Sequence, residues 1–173
     1  MEKMKWIAMG ILLLTCSASA QQAPRVDVST GYSFLRLGGN GGVTQQGGSI
    51  SITGNLNNWL GIVGDFGGYH SLPFGVRLNT YTTLLGPRFS LRGGKVTPFV
   101  QTLFGGAHMS ASVNGISAGA NSFAMSAGGG IDLQLTHHLA LRPQVDYIAL
   151  RSSGQTLNSG RASIGLVCRF GER

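Results

Sequence analysis

No apolar run in this sequence approaches the roughly 18 residues needed to cross a bilayer as a helix. Cysteine is nearly absent. Without its first twenty residues the chain keeps only Cys168, so no internal disulfide can form even in an oxidising compartment. Acidic side chains are scarce, six Asp and Glu against thirteen Lys and Arg, yet the bases stand singly and make no stripe of the kind that tracks nucleic acid. The 28 glycines have no triplet period, which excludes collagen, and apolar residues are too frequent for a disordered chain.

What is present begins with a leader. Lys3 and Lys5, the apolar run from Trp6 to Leu14, and Ala18-Ser19-Ala20 supply the charged start, core and cleavage site of a secretory signal peptide. Residues 1–20 are therefore expected to be removed, leaving 21–173 as one domain by size. Cys16 offers a competing lipid-anchored reading, but Thr15 fits poorly where a small residue should precede the lipidated cysteine. The remaining eleven bases and five acids give a net charge of +6, and lipid phosphates are a nearer anionic neighbour for an exported chain than DNA.

The strongest pattern is the stretch from Phe123 to Leu150. Phe123, Met125, Ala127, Gly129, Ile131, Leu133 and Leu135 share one parity, while Ser126, Asp132 and Gln134 share the other. After the turn Thr136-His137-His138, Leu139, Leu141, Pro143, Val145 and Tyr147 alternate with Arg142, Gln144 and Asp146. Period-2 alternation is a strand with one apolar and one polar face. Arms of this length exceed the globular norm of about 5–6 residues and suit a tilted membrane-spanning strand of roughly 9–11.

The same rhythm predicts strands over 25–37, 49–57, 60–70, 78–91, 96–108 and about 160–170. That makes eight. Tight turns are expected near 57–59, 92–95 and 136–138, and longer loops near 38–48, 71–77, 110–121 and 152–159. An even number of strands with short and long connections in alternation predicts an all-β fold, an eight-stranded antiparallel up-and-down transmembrane β-barrel. Glycines inside the strands suit the tightly curved wall of a small barrel.

Charge separates a membrane barrel from a soluble one. Asp27, Asp65, Arg88, Asp132, Arg142, Asp146 and Arg169 all fall on the polar parity of their strands. An arginine on the lipid face near midplane costs about 2–4 kcal/mol, so the apolar parity should be free of charge in mid-strand, and it is. The seven charged residues are expected to pair inside a narrow lumen, fill it and fix the barrel register. Eight strands enclose just enough room for side chains, which excludes a wide diffusion pore. Trp59, Tyr69, Tyr81, Phe89, Phe99, Phe104, Tyr147 and Phe170 stand where they could form interfacial girdles, although plain lipid-facing bulk explains each one as well.

Candidate chemistry is thin, and no catalytic, cofactor or metal residue is expected. His137-His138 sits on a turn with no carboxylate or cysteine at ligand spacing. His70 beside Ser71 and His108 near Ser110 lack an acid to complete a hydrolase constellation. Gly38 to Gly42 has neither the lysine nor the helix of a phosphate-binding loop. Cys168, on the apolar parity, reads as a small hydrophobe.

Several segments in order resemble the small outer-membrane β-barrels related to the transmembrane domain of OmpA-like proteins. They are Val26-Asp27-Val28-Ser29-Thr30-Gly31-Tyr32-Ser33, Leu84-Leu85-Gly86-Pro87-Arg88-Phe89, Thr97-Pro98-Phe99-Val100-Gln101, Gly128-Gly129-Gly130-Ile131-Asp132 and Leu141-Arg142-Pro143-Gln144-Val145-Asp146-Tyr147. The last strand, ending on Phe170, looks like the family's assembly signal, though the usual terminal Phe is here followed by three more residues. The resemblance implies insertion by the outer-membrane assembly machinery. A monomer in contact with outer-membrane lipids, with a structural or surface-interaction role and no nucleic-acid partner, is the expectation. Two alternatives stand beside it: a soluble lipocalin-like barrel with its apolar parity turned inward around a ligand, and a barrel enzyme acting on lipid at the outer rim.

Overall fold

The computed structural model describes residues 24–38, 42–72, 76–113, 116–152 and 155–171, so the leader reading lies outside the described residues. Eight strands follow one another: β1 Val26–Leu37, β2 Val43–Asn55, β3 Leu60–Ser71, β4 Arg77–Ser90, β5 Val96–Val113, β6 Ile116–Gln134, β7 Leu139–Ser152 and β8 Gln155–Phe170. Each pairs antiparallel with its neighbour in sequence, and β8 returns to β1 to close the barrel. Closure leaves no open sheet edge around the wall, so the backbone ladder of each described strand is shared with a neighbour on both sides.

The alternation read from the sequence sets the facing. Val100, Leu85 and Val145 stand outward at 60–66 % exposure, while Val63, Thr53 and Ala124 on the other parity are sealed. The soluble lipocalin-like alternative required the opposite arrangement, and the structure excludes it.

The register is strongly staggered. Following paired residues round the wall from Leu35 leads through Arg161, Asp146, Gly128, Gln101, Arg88, Gly61 and Asn55 to Arg25, ten positions lower on β1. Ten positions over eight strands mean that a line of constant height climbs about 1.25 residues per strand, the tilt a small closed barrel needs. Glycine makes the wall close where it is tightest. A Cβ on Gly86 would run into the Thr102 carbonyl, and one on Gly105 into the Thr83 carbonyl.

Two expectations are corrected. The longer loops shrink to the short connections 38–42, 72–76, 114–115 and 153–154, because the strands run further than predicted. Ser110 to Val113 belongs to β5 and Ile116 to Asn121 to β6, where Ser110 pairs with Gly119 and Ala111 with Ala118. Small polar side chains carry little strand propensity, but the backbone ladder started in the barrel continues through them. The second correction concerns aromatics. Tyr69 and Phe99 point into the lumen rather than towards lipid, at 2 % and 4 % exposure. Neighbouring glycines clear the volume: a Cβ on Gly67 would sit 2.7 Å from the Tyr69 ring, and one on Gly130 3.0 Å from Phe99 Cζ.

Candidate functional site

The inward parity gathers Asp27, Asp65, Arg88, Asp132, Arg142, Asp146 and Arg169 into the bore, all buried. All but Arg88 fall into three groups. Asp132 on β6 takes a two-pronged contact from Arg142 on β7, Nε to Oδ1 at 2.6 Å and Nη2 to Oδ2 at 2.8 Å. This fork-to-carboxylate geometry is the strong form of the interaction. Arg169 stands 3.5 Å from the same carboxylate, and Arg142 Nη1 also donates to Ser29 Oγ at 3.3 Å.

The second group centres on Arg161, which the sequence reading missed. Its Nη1 donates to Asp65 Oδ1 at 2.6 Å and to the Tyr69 hydroxyl at 3.2 Å, and its Nε to Asp146 Oδ2 at 2.9 Å. Asp65 on β3 and Asp146 on β7 stand four strands apart, on opposite walls, so one guanidinium bridges the bore. Asp146 also accepts from Gln144 Nε2 at 2.8 Å and from Gln101 Nε2 at 3.2 Å. The signal for Arg161 was available: it lies eight positions before Arg169 on the same parity, but the strand was expected to become regular only at Ala162.

The third group lies where β4 turns into β5. Asp27 accepts from Asn55 Nδ2 at 3.0 Å and pairs with Arg92 at 3.5 Å. Burial pulls the Arg92 guanidinium below its ordinary value, against the opposing pull of Asp27.

Arg88 takes neutral partners. Its Nε and Nη2 donate to Gln101 Oε1 at 3.0 and 2.7 Å, and its guanidinium lies 4.3 Å from the centre of the Phe99 ring. Arg142 approaches the same ring at 4.9 Å, so two cations are attracted to the Phe99 quadrupole.

Beyond these charges the bore holds hydrocarbon. Leu35, Val63, Tyr69, Leu84, Leu103, Ala107, Ala124, Ile148 and Leu150 form one buried cluster, most of it towards the barrel end away from the chain termini. The sequence reading expected charge alone to fill the lumen; the structure adds this apolar cap. A polar cavity of about 20 Å³ lies beside Ser29, Ser49, Ser51, Asp65, Arg142 and Gln144, room for about one water molecule.

The family model described as outer membrane protein beta-barrel domain matches residues 7–170. The chain belongs to this family. Among solved structures it is similar to Neisserial surface protein A (NspA), with a TM-score of 0.74 at 16% identity over 87% of this chain and 100% of that one. It is similar to Ail, the attachment invasion locus protein of Yersinia pestis, with a TM-score of 0.64 at 18% identity over 86% and 99%. The N-terminal β-barrel domain of Pseudomonas aeruginosa OprF gives 0.56 at 16% identity over 85% and 99%. No curated protein matches the sequence.

For an outer-membrane barrel with an even strand count, both chain ends and the turns at 56–59, 91–95 and 135–138 face the periplasm. The apolar cap then lies towards the cell exterior. His70 Nδ1 donates to Asn79 Oδ1 at 2.8 Å and His108 Nδ1 to Asn121 Oδ1 at 2.7 Å, so each imidazole is held by an asparagine across the ladder rather than by the serine weighed for it. His137 and His138 stay exposed on their turn, and Cys168 is exposed on the lipid-facing wall. Among the described residues no three His, Cys, Asp or Glu side chains gather as a metal group.

One glycine controls the bridging group. A Cβ on Gly128 would collide with the Val145 carbonyl and with Asp146 Oδ1. Gly128→Ala is expected to push Asp146 off Arg161 and lower stability by about 1–3 kcal/mol, the range for overpacking. The midpoint of urea unfolding in lipid vesicles reads it; a midpoint equal to the parent protein's contradicts the packing described.

Proposed function

We propose that this protein is a closed, monomeric integral outer-membrane barrel with a structural or surface-interaction role, exported through a cleaved signal peptide and inserted by the outer-membrane assembly machinery. The observation that carries the reading is the set of buried side chains that cross the bore. Arg161 bridges opposite walls between Asp65 and Asp146, and the hydrocarbon cap covers the exterior end. A hydrated ion meeting this column must displace paired charges and then cross apolar side chains, each step costly in a low dielectric. The surface-interaction part draws on Ail, an attachment invasion locus protein that shares the fold. The named chemistry of this chain lies in its wall and bore rather than in a catalytic constellation, which favours such a role over the lipid-modifying alternative.

The purified barrel in planar bilayers is expected to pass no steady current, and vesicles carrying it should not swell in small sugars. Stable openings of porin size would overturn the closed-lumen reading.

A further inference from the structure

We propose that the outer wall carries a binding site for a phosphate-bearing, acylated lipid of the outer leaflet, with an acyl chain in a glycine-floored groove and the phosphate on His70 and Arg36. The groove is built by three successive outward rows across β2, β3 and β4. The middle row pairs Gly48 with Gly68 and Gly68 with Tyr81, so two adjacent outward positions have no side chain. The row below pairs Ile50 with Phe66, and the row above pairs Gln46 with His70 and His70 with Asn79. The result is a groove of about 410 Å³ lined by Thr30, Gly48, Ile50, Phe66, Gly68 and Tyr81. It opens on the lipid-facing wall, where hydrocarbon is the solvent, and its floor is the backbone of Gly48 and Gly68.

Charge identifies the head of the occupant. Allowing for the stagger, Arg36 on β1, His70 on β3, His108 on β5 and Arg151 on β7 lie about one to two and a half residues above the level of Leu35. All four point outward. They sit just above the outward belt of Phe34, Tyr81, Phe104 and Tyr147. Among the described residues no carboxylate shares that surface, since Asp27, Asp65, Asp132 and Asp146 are all buried in the bore. A membrane-facing collar of one sign, set at headgroup height, attracts anions with nothing to repel them.

His70 is the base directly over the groove. With Nδ1 held by Asn79, its ring presents Nε2 to the headgroup. An imidazolium donates from both nitrogens, here one to Asn79 and the other to a phosphate oxygen. Arg36, two strands away, supplies a fork suited to phosphate oxygens. Tyr32 donates to Gln46 Oε1 at 2.6 Å, fixing the amide at the groove's rim. The proposal rests on membrane embedding and not on the closed lumen, so conductance recordings and lipid binding fail independently.

Native mass spectrometry of the full mature barrel, released from membranes holding bis-phosphorylated lipid A, tests it. The parent protein is expected to keep one lipid A, to keep dephosphorylated lipid A about tenfold less well, and to be unaffected by millimolar inorganic phosphate. Gly48→Leu fills the groove, and its added Cβ meets nothing nearer than the Gly31 carbonyl at 3.6 Å, so folding should survive. It should lose the lipid, as should the double variant Arg36→Gln/His70→Gln, both with normal heat-modifiable migration. Gly68→Leu repeats the groove test if Gly48→Leu misfolds. Equal retention of both lipid forms, retention by the folded groove variants, or displacement by inorganic phosphate overturns the proposal.

Discussion

Replacing Arg161 with Gln is expected to lower the stability of the barrel by roughly 3–5 kcal/mol, the cost of removing one partner from a buried ionic group. The size follows from what remains. Asp65 and Asp146 keep their burial on opposite walls but lose the guanidinium that joins them at 2.6 and 2.9 Å. Gln144 and Gln101 still donate to Asp146, whereas Asp65 is left facing the Tyr69 hydroxyl and the small polar cavity. Adding Asp65→Asn to Arg161→Gln should therefore recover part of the loss by removing the stranded charge, a non-additivity that a double-mutant cycle reads directly. Urea unfolding in vesicles, followed by the fluorescence of Trp59, measures both; with the proposed leader removed, and Trp6 with it, Trp59 is the one indole of 21–173. If Arg161→Gln unfolds with the parent protein, the bridge adds no stability, and if the double variant is worse than the single one, stranded charge is not the cause.

The second large effect is one of facing. Val145→Arg should block assembly, while Gln144→Arg, one residue away, should assemble much more fully. Val145 points into lipid at 66 % exposure, where a guanidinium costs about 2–4 kcal/mol depending on depth. Gln144 points into the bore and already donates to Asp146, so an arginine there stays near a carboxylate. The folded fraction on unheated gels after dilution into vesicles gives the comparison. Equal yields would mean that the two parities are not divided between lipid and lumen.

Much of this arrangement was readable from the residues alone, for a physical reason. On a wall between lipid and a narrow bore, every charge placed on the wrong parity is expensive, so Asp27, Asp132, Arg142 and Asp146 mark the inward face without ambiguity. What was not readable lies where that cost vanishes. Towards the far ends of β5 and β6, Ser110 to Ser112 are half-buried and Ala118 to Asn121 exposed on both parities, so alternation fades and an extended ladder looks like a loop. Arg161 was lost for a related reason: a late estimate of where β8 begins left the most enclosed cation outside its own strand. Inside the bore, Leu84 followed by Leu85 shows the other limit. A lumen end filled with hydrocarbon makes both faces apolar, and period-2 reading then has no contrast to follow. Tyr69 and Phe99 belong here too, since residue type suggested lipid while parity put them inside.

The seam between β1 and β8 carries a further consequence. Val26 meets Phe170, and Leu37 meets Ser159, so the first strand waits for the last before either has its final neighbour. A chain interrupted at any earlier point is an open sheet with two unsatisfied margins, each able to recruit another copy. Nothing smaller than the whole ring is a safe product. Export must therefore deliver the full length in an uncommitted state, guarded until both ends arrive together.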